Sequence, residues 1–345
     1  MTVLGRFSRR SATSLKVVGQ RLGMRRPPAV LLTTALLLSV ACTSTGAASS
    51  VGATTVDPPS TTTASTAAAG CAAARLPTTV AYRRVPGVPR HATSLDIHAP
   101  AGACDAPVVV WVHGGGYHHG DKANQMAAKR ALFNRKGWIL VSVNYRLTVA
   151  GDPSSAHYPD HYEDVAAALA WIDANIGRYG GDPDRIALLG HSAGADIVAN
   201  VAAEPIYLAG QGASADLIDC LAPLDTAGFD KPRASEVEGR QWLDALGNNP
   251  DYLTETSATL LLRSGEAAPP PGTLSVYRGT PRRQSIELDY LRATRQAGGE
   301  TVAVDARSLT HGEVSSRIGA AGDRVMTPPL TRFLRTCFTP PAGGA

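Results

Sequence analysis

Arg185-Ile186-Ala187-Leu188-Leu189-Gly190-His191-Ser192-Ala193-Gly194 joins a short apolar run to a stretch rich in helix formers, Ala193–Ala203. Residues 185–191 have the length and hydrophobicity of a strand buried on both faces. Gly190 and Gly194 bracket a turn that brings strand and helix close together. A G-x-S-x-G turn in this setting lifts a serine hydroxyl clear of a sheet edge, and the helix N-terminus behind it favours developing negative charge. Ser192 is therefore the candidate nucleophile. The competing reading of the same five residues is a plain glycine-rich strand–helix turn.

Outward from this point the alternation repeats. Upstream, Pro107–His113 (PVVVWVH) and Trp138–Asn144 (WILVSVN) read as buried strands. Lys122–Lys136 and Asp160–Tyr179 read as helices, the second with Val165, Leu169, Ile172 and Ile176 at spacings of three and four. Downstream, Leu217–Leu224, Thr273–Gly279 and Thr301–Ala306 read as strands, and Arg283–Ala297 and Leu330–Phe338 as helices. Segments 78–88 and 93–98 are candidates for a leading antiparallel pair. The pattern predicts an α/β fold with a mostly parallel sheet and helices on both faces. Residues 245–272, with Pro250 and Pro269–Pro271, interrupt it and are expected to lie over the carboxyl edge of the sheet as a small cap.

Two further loops belong with Ser192 by position. His113-Gly114-Gly115-Gly116 directly follows an apolar strand. Successive glycines leave backbone N–H groups free to point into a site. Gly115 and Gly116, with the N–H of Ala193 at the helix start, are thus the candidate oxyanion donors. Alone, the tetrapeptide reads equally well as a flexible loop. Thr310-His311-Gly312-Glu313 follows the last strand. Its order in the chain, nucleophile first and histidine last, makes His311 the candidate base. Most of the other histidines, including His118, His119, His157 and His161, are expected at the surface or in loops.

On the stretches VVVWVHGGGYHHGDK, WILVSVNYRL, HYPDHYEDVAAALAWIDANIGRYGGDPDRIALLGHSAG and LTHGEV, the chain resembles the α/β-hydrolase superfamily. The likeness is to its bacterial carboxylesterase branch, feruloyl/acetyl-xylan esterase-like and hormone-sensitive-lipase-like. It covers about residues 80–338 and is strongest over 107–200. The resemblance implies an α/β-hydrolase fold, a nucleophile at Ser192, a base at His311 and oxyanion donors at Gly115, Gly116 and Ala193. It also implies structural roles for Asn144 and for Asp164, the latter as a buried, hydrogen-bonded carboxylate.

The resemblance further implies an acid just past the strand that precedes the histidine strand. There the chain reads Arg278-Gly279-Thr280-Pro281-Arg282-Arg283-Gln284, with no Asp or Glu. Without an acid the histidine tautomer and the imidazolium lack support. Asp225, after the strand ending at Leu224, ranks first as a substitute, since some α/β-hydrolases take their acid from that earlier strand. Glu266 ranks second, on the supposition that 258–264 is a strand. Glu287, early in the next helix, ranks third, with Asp289 further along and Asp230 close to Asp225. Each also reads as an ordinary surface carboxylate, and a site lacking any acid is the remaining alternative.

With 345 residues, 44% hydrophobic and 18% charged, the chain can bury a large core and is not of disordered, collagen-like or coiled-coil composition. The net charge of +4 misleads, because residues 1–41 hold seven bases and no acids; beyond them 26 bases face 29 acids, a net −3. Basicity is then no argument for nucleic-acid binding. Arg25 and Arg26 precede the apolar run Ala29–Ala41, which is too short to span a bilayer and reads as a secretory signal, with Met24 as an alternative start. Leu38-Ser39-Val40-Ala41-Cys42 resembles a bacterial lipobox, with Ser39 where leucine is usual, and implies a lipid on Cys42. Ordinary cleavage near Ala41 is the alternative. Residues 43–70 are almost wholly Thr, Ser, Ala, Gly and Pro, a flexible tether spanning roughly 30 Å. The expected division is a signal at 1–41, a tether at 42–76 and an α/β-hydrolase domain at 77–345, with the protein exported as a lipoprotein or secreted. Beyond Cys42, Cys71, Cys104, Cys220 and Cys337 allow three pairings of two disulfides, of which 71–104 with 220–337 is favoured because each pair shares one half of the domain. No C-x-x-C pair and no H-E-x-x-H points to zinc.

The expected function is that of a serine carboxylic-ester hydrolase acting through an acyl-enzyme on short-chain or polysaccharide-linked acyl esters, with no cofactor. No nucleic-acid partner is expected, and membrane contact only through a lipid on Cys42. Two alternatives stand beside it. One is an amide or formamide hydrolase of the kynurenine-formamidase type, which shares the HGG and GHSAG pieces. The other is a catalytically impaired hydrolase fold used as a binding module, supported only by the vacant acid position.

Overall fold

The computed structural model describes residues 77–339, apart from 239–241, 266 and 268–271. The expected signal and tether, Cys42, Cys71 and Glu266 all lie outside the described residues. The strands are β1 (Thr78–Ala81), β2 (Ser94–His98), β3 (Ala106–Val112), β4 (Ile139–Val143), β5 (Gly181–His191), β6 (Cys220–Leu224), β7 (Gly272–Tyr277) and β8 (Glu300–Asp305). The helices are α1 (Met126–Arg135), α2 (Asp160–Asn175), α3 (Ala193–Ala203), α4 (Ile206–Ala209), α5 (Lys231–Glu238), α6 (Tyr252–Glu255), α7 (Ala258–Ser264), α8 (Pro281–Gln296), α9 (His311–Ser316) and α10 (Thr327–Phe338).

One sheet runs in the order β1-β2-β4-β3-β5-β6-β7-β8. The β1–β2 and β2–β4 pairs are antiparallel, and every later pair is parallel. β3 shows why the strand sequences are continuously apolar. Val108, Val110 and Val112 join the core beneath α2 and α3, while Val109 and Trp111 join the core beneath α1 and α10. Both faces are covered, so no polar alternation is needed. Each fully buried valine of this kind stabilises the fold by about 1.5–3 kcal/mol.

Several boundaries shift from the sequence expectation for local reasons. α1 starts at Met126 rather than Lys122, because Gln125 sits at φ 58°, outside the helical region. β6 starts at Cys220 rather than Leu217, since Ala215–Leu217 wind into a 3-10 turn capped by the Ser214 hydroxyl. α10 extends back to Thr327, with Pro328 and Pro329 tolerated in its unbonded first turn. Residues 258–264, considered above as a strand, are the helix α7. Among the described residues of 245–272 none lines the cleft at the carboxyl edge, and α7 packs beside α3 and α8. Trp242, just ahead of that stretch, does reach the cleft.

Cys220, at the start of β6, is bonded to Cys337 in α10, with Cα atoms 6.0 Å apart. Cys104 is also in a disulfide. Its expected partner Cys71 lies outside the described residues. The register then gathers the candidate residues. Val112 aligns with Gly190, and His191 with Leu224, so the chain leaves β3, β5 and β6 at neighbouring points of one edge.

Candidate active site

β5 ends at His191 and α3 starts at Ala193, so Ser192 alone makes the turn, at φ 57° and ψ −121°. That conformation is strained by about 1–3 kcal/mol for a residue bearing a β-carbon. It is held by the Ser192 N–H, which donates to the Leu224 carbonyl (3.0 Å), and by the Ser192 carbonyl, which accepts from Asp196 N–H (3.1 Å). Gly194 is set by close approach, since a Cβ there would stand 2.5 Å from the His113 carbonyl oxygen and closer still to that of Val112.

His311 Nε2 lies 2.8 Å from Ser192 Oγ, and His311 Nδ1 lies 2.7 Å from Asp225 Oδ2. A carboxylate only accepts hydrogen bonds, so the proton of the neutral ring sits on Nδ1. Nε2 is then left as the acceptor for the serine hydroxyl. The loop that delivers the ring is a capping box: Thr310 Oγ1 accepts from Glu313 N–H (3.3 Å) while Glu313 Oε2 accepts from Thr310 N–H (2.9 Å). His311 becomes the first residue of α9 by this device. His191 steadies it from below. Its ring lies 4.6 Å from that of His311, and its Nε2 donates to the His311 carbonyl (2.9 Å). Burial, then the neighbouring His311, lowers the His191 pKa to about 4, so the ring is neutral.

Asp225 places a carboxylate beside His311, where the segment after β7 has none. It is fully buried, at φ 60° just past β6. Arg278 Nε donates to its Oδ2, and Arg283 Nη2 to its Oδ1 (2.8 Å). Burial opposes its ionisation, but the His311 bond and the two guanidiniums outweigh burial and hold the carboxyl well below its usual range. Glu287, also buried, accepts from the Arg278 N–H (2.8 Å) and lies 3.3 Å from Arg283 Nε. Burial and the Asp225 charge push it up to about 9 against the pull of Arg283, so it is protonated at neutral pH. It is a floor beneath Asp225 and makes no bond to His311. Asp230 and Asp289 pair with Arg233.

The glycine loop completes the cleft. Gly115, Gly116 and Tyr117 have φ 128°, 61° and 70°. The N–H groups of Gly115, Gly116 and Ala193 have no acceptor among the described residues. A Cβ on Gly114 would stand 2.8 Å from Ser192 Cβ, which places the loop against the serine. The loop is tied down through Tyr117, whose buried hydroxyl donates to Asp196 Oδ2, as does that of Tyr162 (2.8 Å). Asp196 Oδ1 accepts from the fully buried Lys231 (2.6 Å), which also donates to the Thr256 and Gly228 carbonyls. The cleft has a volume of about 810 Å³.

Asp164 is buried and pairs with Arg83 (2.9 Å) and Arg146 (2.7 Å), and Asn144 receives the Lys122 N–H (2.6 Å) while donating to His91 O. Both tie loops together away from Ser192. His161 corrects an expectation. It is fully buried in α2, bonded to Thr148 Oγ1 (3.0 Å), and burial holds its pKa to about 3. His191, Arg278, Arg283 and the Tyr117–Asp196–Lys231 cluster escaped the sequence reading. Only His191, as the variable position of the G-x-S-x-G turn, carried a positional signal.

Residues 91–209 match the model of the carboxylesterase family. Over 100 residues the chain is 41% identical to the probable carboxylic ester hydrolase LipM of Mycobacterium tuberculosis, covering 29% of this chain and 22% of LipM. The chain thus spans about a fifth of the length of that relative. Among solved structures, an esterase of Pyrobaculum calidifontis aligns with a TM-score of 0.55 at 23% identity, covering 71% of this chain and 80% of that one. Esterase B of Lactobacillus rhamnosis aligns with a TM-score of 0.59 at 16% identity, over 77% and 86% of the two chains. The sheet order, the serine turn and these likenesses together give the chain the fold of these esterases, and its residues 91–209 are similar to the carboxylesterase family.

Proposed function

We propose that the cleft hydrolyses carboxylic esters of short acyl groups through a covalent acyl-enzyme. The observation that carries this reading is the chain Ser192 Oγ–His311–Asp225, set beside three backbone amides with no acceptor among the described residues. Ser192 Oγ attacks the ester carbonyl as its proton passes to His311 Nε2, and Asp225 balances the imidazolium. The N–H groups of Gly115, Gly116 and Ala193 receive the oxyanion, a contribution on the order of 3 kcal/mol per donor. His311 then gives its proton to the departing alcohol. Water, deprotonated by the same ring, releases the acid and restores the serine.

Short acyl groups follow from the lining, where Trp111, Ala193, Ala227 and Trp242 are the apolar side chains and the rest are polar residues or glycines. A cleft open along the sheet edge also suits acyl groups carried on polysaccharide. The carboxylate beside His311 removes the one argument for an impaired binding module. The basic–apolar N-terminal segment and Cys42 support export and lipidation, which the intact mass of the mature protein tests. For the chemistry, a fluorophosphonate probe labels the wild type and not Ser192→Ala, and only the wild type turns over p-nitrophenyl acetate. Equal labelling of both proteins, or turnover by both, overturns the reading.

A further inference from the structure

We propose that the cleft recognises an anionic group on its substrate, a carboxylate or one of like charge, through the guanidinium of Arg278. This deepens the hydrolase reading and rests on it. Arg278 follows β7 directly, where the resemblance implies an acid. Its Nε edge is engaged by Asp225. Its two terminal nitrogens have no hydrogen-bond partner among the described residues. The side chain is only 15% exposed, and it lines the cleft. Support of Asp225 accounts for the Nε contact and for Arg283 on the opposite oxygen, but not for an unpartnered terminal fork on a residue that lines the cleft.

The local charge agrees. Asp225 is the sole carboxylate among the described residues that line the cleft, and two guanidiniums share it. Glu287, protonated beneath them, adds no negative charge. The Arg278 fork is therefore a positive edge on the wall, in a recess where water screens it poorly. A carboxylate on the fork takes charge-assisted hydrogen bonds that a neutral acyl or alcohol group cannot make.

The test compares matched esters, charged on either side of the scissile bond: p-nitrophenyl hemisuccinate against p-nitrophenyl butyrate, and meta-carboxyphenyl acetate against phenyl acetate. The expected result is a kcat/KM about tenfold higher for the anionic member of at least one pair, weakened by salt. Arg278→Gln should collapse that ratio to about one, and Arg278→Lys should retain part of it. A residue serving only Asp225 would lower both members alike and leave the ratio unchanged. A second arm measures binding of monomethyl succinate and methyl butyrate to Ser192→Ala by calorimetry, with and without Arg278→Gln. Turnover of neutral esters with no preference for charge in either pair overturns the inference and leaves the hydrolase reading standing. Charge-selective, Arg278-dependent binding without any turnover supports the subsite and overturns the hydrolase reading.

Discussion

Asp225 and Ser192 both hold left-handed backbone angles, φ 60° and φ 57°, at the ends of adjacent strands. Such angles are uncommon outside glycine, and here each belongs to a side chain that His311 bridges. Asp225→Asn keeps the shape but presents an amide that can donate to Nδ1, stabilising the wrong tautomer. It also removes the charge that Arg278 and Arg283 share. We expect kcat on a neutral ester to fall by about 10³–10⁴ with the circular dichroism spectrum unchanged. Steady-state kinetics beside that spectrum check it. Asp225 was a candidate because the resemblance allows an acid after the earlier strand and the segment after β7 offers none. The partners of Asp225 were not legible. Arg278 and Arg283 meet it across 53 and 58 positions of sequence, and no local pattern records such a meeting.

Among elements, α3 does more than carry the serine turn. Asp196, one turn into it, collects Tyr117 from the glycine loop, Tyr162 from α2 and Lys231 from α5. An ion pair this deeply buried is costly to break from one side. Lys231→Met leaves Asp196 with no cation and should lower stability by about 3–5 kcal/mol, read by chemical denaturation. Tyr117→Phe releases only one bond, costs about 1–2 kcal/mol, and should lower kcat more than it changes KM, because the loop amides lose their anchor. Of the parallel strands, all but β5, which starts four residues before the expected Arg185, were legible to within three residues, because two covered faces force an unbroken apolar run. Helix starts were less so, since single residues such as Gln125 set them. Residues 258–264 misled because a short run of leucines suits a helix and a strand alike.

For the molecule as a whole, two features bear on stability away from the chemistry. The Cys220–Cys337 bond closes a separation of 117 residues and fastens the amino end of β6, opposite the edge that carries Asp225. Cys337→Ser should cost about 2–5 kcal/mol of unfolding free energy while kcat stays within about twofold, checked by denaturation and ester assay on the same samples. Lys129 is buried over the Trp111 ring, 4.5 Å from its centroid, and donates to Ser315 Oγ (3.1 Å) with no carboxylate partner among the described residues. Burial lowers its pKa from 10.5 to about 7. Between those values the unfolded chain holds a proton that the folded one does not. Stability therefore falls as pH drops from 10.5 toward 7 and levels below. Lys129→Met should remove that slope. Its melting temperature should exceed that of the wild type most at pH 7 and below, with the gap closing in strong alkali. The alternation of strand and helix made the fold legible from sequence, whereas a lone buried amine leaves no trace in any pattern.

The matched family segment stops at residue 209, and His311 stands 119 positions beyond Ser192. A nascent polypeptide that has emerged only through α3 already owns its serine and its glycine amides, yet it has nothing to accept the hydroxyl proton. Until β8 docks on the sheet edge and the final loop swings the imidazole home, the hydroxyl is as inert as that of any surface serine. On the proposed function, reactivity toward esters is thereby withheld until the stretch that carries His311 has been made, a safeguard written into connectivity rather than into any inhibitor.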